Sequence, residues 1–237
     1  MQQYFVNIID NKIVLKDEDL YHLVKVLRAK EKRKIICVID DKKFFCEFSG
    51  DTSSYTVEII YEIESNPELD VDIELYQALI RNENFDLVLQ KSTELGVKSI
   101  SPTIFRRNVV KIDKNKEEAK LLRYQTILKN SAEQSHRLIV PNILPITRVE
   151  DIKLELGEIG IVAYENEKNI SLKSIEDEIK QSNKIKIVIG PEGGITKEEY
   201  SALISKGFKS ITLGKRILRS ETAAFNILSV ISYILEN

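Results

Sequence analysis

The chain has 237 residues, 43% of them hydrophobic and 30% charged, with a formal net charge of −2. That length accommodates one large domain or two small ones, and the charge gives no global positive field to draw the protein onto nucleic acid. No stretch approaches roughly eighteen apolar residues and the N-terminal MQQYFVNIIDNK lacks a basic region followed by an apolar one, so neither a membrane span nor a secretory signal is expected, and the expected location is cytoplasmic. Two Cys and two His, widely scattered, give no metal-ligand spacing. Cys37 and Cys46 fall on neighbouring predicted strands and read as a reduced pair of small hydrophobes rather than a disulfide.

In chain order, Tyr4–Ile8 and Ile13–Leu15 are short apolar runs that predict strands. Asp17 is placed to cap a helix whose Leu20, Leu23, Val24 and Leu27 fall on one stripe. Lys34–Ile39 and Phe44–Phe48 flank Asp40-Asp41-Lys42, a hairpin signal, and Tyr55–Ile63 reads as a further strand. Short strands with one helix suggest a small barrel-like module over residues 1–66, closed by a linker at Ser65-Asn66-Pro67-Glu68. From residue 70 to 237 the rhythm changes to alternating strands and helices, an α/β domain with a mainly parallel sheet. Its strands are predicted at Ile73–Leu79, Lys98–Ile104, Ile159–Ala163, Ile185–Ile189 and Ser210–Leu213. Its helices are predicted from an Asn82 cap to Leu95 with Gly96 as terminator, then at 114–133, Leu172–Lys180, Thr196–Ser205 and Glu221–Leu235.

The stretch KIKIVIGPEGGITKEEY, residues 184–200, organises the second domain. Ile185, Ile187, Val188 and Ile189 have the composition of a buried parallel strand, and Thr196 stands three residues before Glu199, a capping-box spacing. Between them lies Gly190-Pro191-Glu192-Gly193-Gly194, with three of the chain's 9 glycines. A glycine loop at the carboxyl end of a parallel strand is where open α/β sheets bind ligands, because backbone amides can approach closely there. A plain turn is the competing reading. Two further strand ends give unusual loops: Ala163-Tyr164-Glu165-Asn166, and the run Leu213 to Ala223, which mixes apolar Leu213, Ile217 and Leu218 with Arg216, Arg219 and Glu221. Apolar walls beside exposed main-chain groups suit a flat heterocycle. The glycine loop is neither a Walker A loop nor a GxGxxG fingerprint, which argues against ATP hydrolysis and an ordinary dinucleotide fold. For Arg219 and Glu221 a salt bridge with helix capping is the alternative, and His136 alone reads as a cap or surface residue.

Four motifs in order, Lys91-Ser92-Thr93-Glu94-Leu95-Gly96-Val97, Glu133-Gln134-Ser135-x-Arg137, Gly190-Pro191-Glu192-Gly193-Gly194 and Leu213-Gly214-x-Arg216-Ile217-Leu218-Arg219-x-Glu221-Thr222-Ala223, make the chain resemble the RsmE family. These are S-adenosylmethionine-dependent methyltransferases of the SPOUT class, acting on the imide nitrogen, N3, of one uridine of 16S ribosomal RNA near the decoding site. His22 with Val26-Leu27-Arg28 matches a further family signature, and the similarity runs over essentially the whole chain. Two positions depart from the family pattern: Lys215, where proline is usual, and Ser220, where threonine is usual. The resemblance implies a C-terminal trefoil knot in residues 70–237, a PUA-like RNA-binding module in 1–66, a homodimer, and the small ribosomal subunit as partner. It implies that S-adenosylmethionine is held by the three strand-end loops. The residues expected there are Ala163, Tyr164 and Glu165 from the first, Ile189, Gly190, Glu192, Gly193 and Gly194 from the second, and Leu213, Gly214, Ile217, Leu218 and Ala223 from the third.

Methylation of an imide nitrogen requires loss of its proton, and a nearby cation lowers the cost by stabilising the anion. Arg219 is the first candidate for that cation and Arg137 the second; Glu221 is the candidate to orient Arg219 or accept the proton. Gly193→Val is expected to block backbone approach to the cofactor. Local basic clusters are the candidate RNA contacts: Arg28, Lys30, Lys32, Arg33, Lys42 and Lys43 in the first module, and Arg106, Arg107 and Lys111 after a strand of the second. Two other classes compete with the enzyme: a non-catalytic RNA-binding ribosome assembly factor on the same fold, and a nucleotide-dependent regulator using the glycine loop as a phosphate site.

Overall fold

The computed structural model of the chain describes residues 1–110 and 113–237. It divides into two compact units, one of residues 1–68 with 132–139, the other of residues 69–131 with 140–237.

The first unit is built from β1 (Gln3–Phe5), β2 (Asn7–Ile9), β3 (Lys12–Val14), α1 (Asp17–Tyr21), β4 (Arg33–Ile39), β5 (Lys42–Gly50) and β6 (Tyr55–Ile63). Strands β1, β4, β5 and β6 form one sheet in that order, and β2 pairs β3 in a hairpin. Asp10-Asn11 and Asp40-Asp41 make the two hairpin turns with positive φ at both residues, the left-handed geometry that short polar side chains tolerate and that matches strand twist. Tyr4, Leu23, Ile35, Cys37, Cys46 and Phe48 fill the core beneath the sheet, and both cysteines are free buried thiols. A register shift between Phe45 and Cys46 bends the β5–β6 ladder. The helix expected to run through Leu27 is shorter. It gives way to a wide turn over His22–Val26, in which Leu27 N–H reaches His22 O five residues back. That widening breaks the 3.6-residue period, so Leu23 is buried while Leu27 is exposed. Asp17 is the first helical residue rather than the cap, which falls on Lys16.

The second unit contains β7 (Asp72–Ala78), α2 (Asn82–Glu94), β8 (Ser99–Ile104), α3 (Glu117–Gln134), β9 (Asn142–Ile143), β10 (Thr147–Arg148), β11 (Glu158–Ala163), α4 (Glu176–Gln181), β12 (Lys184–Ile189), α5 (Lys197–Ser205), β13 (Lys209–Ile211) and α6 (Ser220–Glu236); the last turn of α3 groups with the first unit. Among the described residues seven strands make a sheet ordered β10-β8-β7-β12-β11-β13, with β9 on β8. Every pairing in it is parallel. Strands this enclosed read as near-continuous apolar runs, as β12 does over its last three residues, 187–189. On one face α6 buries Ala224, Ile227, Leu228 and Ile231 completely, a stripe at helical spacing whose large side chains each contribute about 1.5–3 kcal/mol. Helix α2 ends as the sequence predicts: Gly96 takes a φ of +88, and the Gly96 and Val97 N–H groups return to Thr93 O and Ser92 O, closing the orphan carbonyls. Its expected cap, Asn82, is instead the first helical residue, with Arg81 before it in extended geometry.

Candidate active site

Strands β12, β11 and β13 lie side by side, so their carboxyl ends emerge together. The three loops that leave them enclose one crevice of about 480 Å³, within the roughly 300–1,000 Å³ of small-molecule sites. Ala163, Tyr164 and Glu165 line it from the first loop, the whole run Ile189–Ile195 from the second, and Thr212–Ser220 with Ala223 from the third. All the residues that the sequence assigns to the cofactor, and Arg219, are therefore brought to one place. Ile195 and Thr212 also line it without having been singled out, and so do Pro191 and Ser220, which the sequence offered only as a motif position and a departure from the family pattern.

The loops are fixed by their own backbone. Tyr164 N–H donates to Ile211 O at 3.1 Å and Thr212 N–H to Ile170 O at 2.7 Å, tying the first loop to the third. The Glu167 carboxylate collects the N–H groups of Lys168, Asn169 and Ile170. In the second loop Gly194 N–H closes a turn on Pro191 O at 2.9 Å, with Gly194 at a φ of +76. Thr196 and Glu199 form the expected capping box at the start of α5, and Glu199 Oε1 also accepts the Arg106 N–H at 2.7 Å.

The glycines are needed for reasons only partly foreseen. A Cβ on Gly194 would meet Glu165 Oε1 at 2.7 Å, and one on Gly190 would meet the Ile195 side chain at 2.6 Å. A Cβ on Gly193 would project onto the segment that follows β8. It would meet the Arg107 backbone oxygen and Cβ at 3.0 Å, and the Arg107 guanidinium donates to Gly193 O at 3.1 Å. For Gly193→Val the structure adds a clash that the sequence did not suggest, with the 105–108 turn.

Arg219 is exposed, immediately precedes α6, and lines the crevice. Among the described residues no carboxylate pairs with it. Glu221 is not beside it. Glu221, in the first turn of α6, is not among the residues that line the crevice; it is buried and accepts from Asn84 Nδ2 at 3.3 Å, and its other oxygen has no hydrogen-bond partner among the described residues. Glu221 as orienter of Arg219 or as base is thus contradicted by its placement. Arg137 belongs to the first unit, where it is buried and ion-paired with Glu68. Glu68 also accepts the Leu138 and Ile139 N–H groups at 2.8 and 3.2 Å. Arg137 therefore secures the 132–139 segment and is not a crevice residue.

Of the candidate RNA contacts, Arg28, Arg106 and Arg107 are exposed. Lys43 is not: it is buried and its ammonium donates to His136 O at 2.9 Å, so the earlier assignment fails for it. Burial lowers the Lys43 pKa from the usual lysine value. Lys111 lies outside the described residues. His136 terminates α3 with a φ of +58, and burial followed by the Lys43 charge holds its pKa below 6.5. Among the described residues no group of His, Cys, Asp or Glu is placed to hold a metal ion, and no helix is long and apolar enough to cross a membrane.

Comparison with known proteins places this geometry in context. Residues 67–232 match the family model of the RNA methyltransferase domain. Ribosomal RNA small subunit methyltransferase E of Bacillus subtilis (strain 168) is 30% identical over 250 residues, spanning 100% of this chain and 98% of its own. The protein of that name from Mesomycoplasma hyopneumoniae (strain 232) is 34% identical over 232 residues, spanning 97% of this chain and 98% of its own. Among solved structures, ribosomal RNA small subunit methyltransferase E from Neisseria gonorrhoeae, bound to S-adenosyl methionine, matches with a TM-score of 0.86 and 29% identity, over 99% of this chain and 98% of the other.

Proposed function

The chain belongs to the RsmE family of ribosomal RNA small subunit methyltransferases, and from that premise we propose that it methylates the N3 imide nitrogen of one uridine of 16S ribosomal RNA near the decoding site, using S-adenosylmethionine. The observation that carries this reading is the convergence of three parallel strand ends on one crevice with apolar walls and a glycine-rich backbone edge. The residues fit the donor. Leu213, Leu218, Ala223 and Ile189 would wall the adenosyl group, the backbone of Gly190–Gly194 would read its polar edge, and Glu165 and Glu192 are the carboxylates at the rim. When bound, S-adenosylmethionine supplies an electrophilic methyl carried on a sulfonium.

The chain's own task is then to hold the uracil as an anion and in line. The N3 lone pair of a neutral imide is delocalised into two carbonyls, so the proton must leave, to solvent water at the crevice mouth, before the nitrogen is nucleophilic. Arg219, at the crevice and unpaired among the described residues, would hold the developing oxyanion charge with its fixed fork of donors. Alignment in a pocket shielded by Leu218 and Ile217 would supply the rest of the rate. Exposed Arg28, Arg106 and Arg107 are proposed to contact phosphates, which makes affinity fall with salt. The family reading also proposes a trefoil knot in residues 70–237, a PUA-like module in residues 1–66, a homodimer and a cytoplasmic location.

The test is transfer of tritium from labelled S-adenosylmethionine to small subunits isolated from a strain lacking the modification, followed by mapping of the labelled base. Label on a uridine N3 of 16S RNA is the expected result. Label on another atom overturns the position, and RNA binding without any saturable S-adenosylmethionine binding would return the chain to the non-catalytic assembly-factor reading.

A further inference from the structure

A glutamine sits where the sheet calls for a hydrophobe. Along β7, Ile73 and Leu75 point into the core under α6, and the next residue on that face is Gln77, fully buried. Gln77 is opposite Ile189, the last residue before the glycine loop. Its amide nitrogen donates to Ser220 Oγ at 2.8 Å and to Ala78 O at 3.2 Å. Ser220, the first residue of α6, is also buried, and its hydroxyl donates to Gly190 O at 2.7 Å. The Gln77 Oε1 atom is buried and has no partner among the described residues.

The direction of this chain of hydrogen bonds is set by its ends. Turning the amide over would satisfy nothing at Ala78, because it would set one carbonyl oxygen against another. The nitrogen must therefore face Ser220, whose single proton is then committed to Gly190 O. A buried amide oxygen left unpaired is a standing cost, and cores that need only packing use aliphatic side chains at such positions. The three segments it joins are the end of β7, the first residue of the glycine loop, and the start of α6, next to Arg219. From this we infer that Gln77 and Ser220 form a one-directional relay that positions the Gly190 carbonyl in the crevice and holds Arg219 in register with it. Both are positioning residues for the methyl-donor site, and the inference rests on the methyltransferase reading above. It gives the departure at Ser220 a physical content: what the position requires is a hydroxyl that accepts from Gln77 and donates to Gly190, which serine and threonine both provide.

Ser220→Ala and Gln77→Leu each cut the relay at a different link. Calorimetric titration with S-adenosylmethionine is expected to show a dissociation constant raised about tenfold in each, the loss of one hydrogen bond's worth of positioning. The double variant is expected to be no weaker than the worse single one, because a broken relay cannot be broken twice. Ser220→Thr should recover most of the affinity lost in Ser220→Ala. In the cofactor-free chain, hydrogen exchange in a peptide covering residues 190–196 should quicken in both single variants. Affinities within twofold of the parent with unchanged exchange would overturn the relay, and so would a double variant whose losses simply multiply. If the parent chain binds no S-adenosylmethionine, the methyltransferase reading falls, and the exchange at 190–196 decides the relay alone: quickened exchange supports it and unchanged exchange refutes it. Should Gln77→Leu fail to fold, Gln77→Met keeps the length and fills the space while removing the donor, and the same readings apply.

Discussion

The two ends of the strands β7, β12 and β11 are built on opposite plans. At the amino ends, side chains do the fastening. Lys186 is buried and its ammonium pairs with Glu158 at 2.6 Å while also donating to Lys153 O at 2.9 Å. Lys184 bridges Glu158 at 3.3 Å and Glu74 at 3.0 Å, so all three strands are cross-linked by charge. At the carboxyl ends, among the described residues, no ion pair joins two crevice-lining side chains. Glycines, backbone hydrogen bonds and side-chain hydrogen bonds to the backbone set the loops, Arg219 is left without a carboxylate among the described residues, and Ile217 is 91% exposed. The difference shows how one sheet serves two needs. Register is locked by charge at one edge, so the other edge can leave its charged side chains unpaired and its walls open.

The division of labour predicts that damage at each end stays at that end. Lys186→Met removes the buried partner of Glu158 and is expected to cost roughly 3–5 kcal/mol of stability, read from urea denaturation, with S-adenosylmethionine affinity of the folded protein within twofold of the parent. A matching loss of affinity would break the comparison. Arg219→Ala is the converse: turnover should fall about 10²–10³-fold, the scale of removing one charge-stabilising donor, with the melting temperature and the cofactor dissociation constant nearly unchanged. Equal losses in turnover and affinity would move Arg219 from the chemistry into the cofactor pocket. Gly194→Ala should act through geometry at the open end. Its positive φ strains an L-residue by about 1–2 kcal/mol, and the added methyl crowds Glu165, so affinity should weaken about tenfold while the amino-end network is untouched.

The open end was the more legible of the two. Glycine, proline and a capping box are local signals, and three parallel strands bring their loops to one edge of the sheet even though their order in it is β12-β11-β13; every residue assigned to the cofactor does line the crevice. The locked end hid behind composition. Lys184 and Lys186 interrupt an apolar run, and nothing in the sequence says that Glu158, on a different strand, will stand beside them. Glu221 misled for the same reason in reverse: its nearness to Arg219 in sequence concealed that it is buried against Asn84 while Arg219 is exposed at the crevice. Gln77 went unremarked because a lone polar residue in a strand carries no local signature; only the placement of Ser220 and Gly190 reveals what it is for. The strands β9 and β10, two residues each and preceded by Pro141 and Pro145 respectively, are too short to carry a period. In the first module, Lys43 looked like one of several surface cations until the carbonyl of His136 claimed it.

The smallest effect separates the two ends by pH. Burial alone would raise the Glu158 carboxyl above its ordinary value of 4.5, but hydrogen bonds from Lys186, the Glu155 N–H and Lys184 outweigh it and hold the group below that value. The unfolded chain, with its carboxyl at the ordinary value, therefore binds this proton more readily than the folded one. The contribution of Glu158 is present in full above pH 4.5 and is lost as pH falls through the lower, folded-state value. Glu158→Gln should accordingly lower the melting temperature at pH 6–7 by a margin that shrinks on acidification below pH 4.5, because the parent loses what the variant never had. A margin that stays constant down to pH 3.5 would mean that Glu158 holds the strands through shape and hydrogen bonding rather than charge, and the contrast between a charge-locked end and an uncommitted one would have to be redrawn.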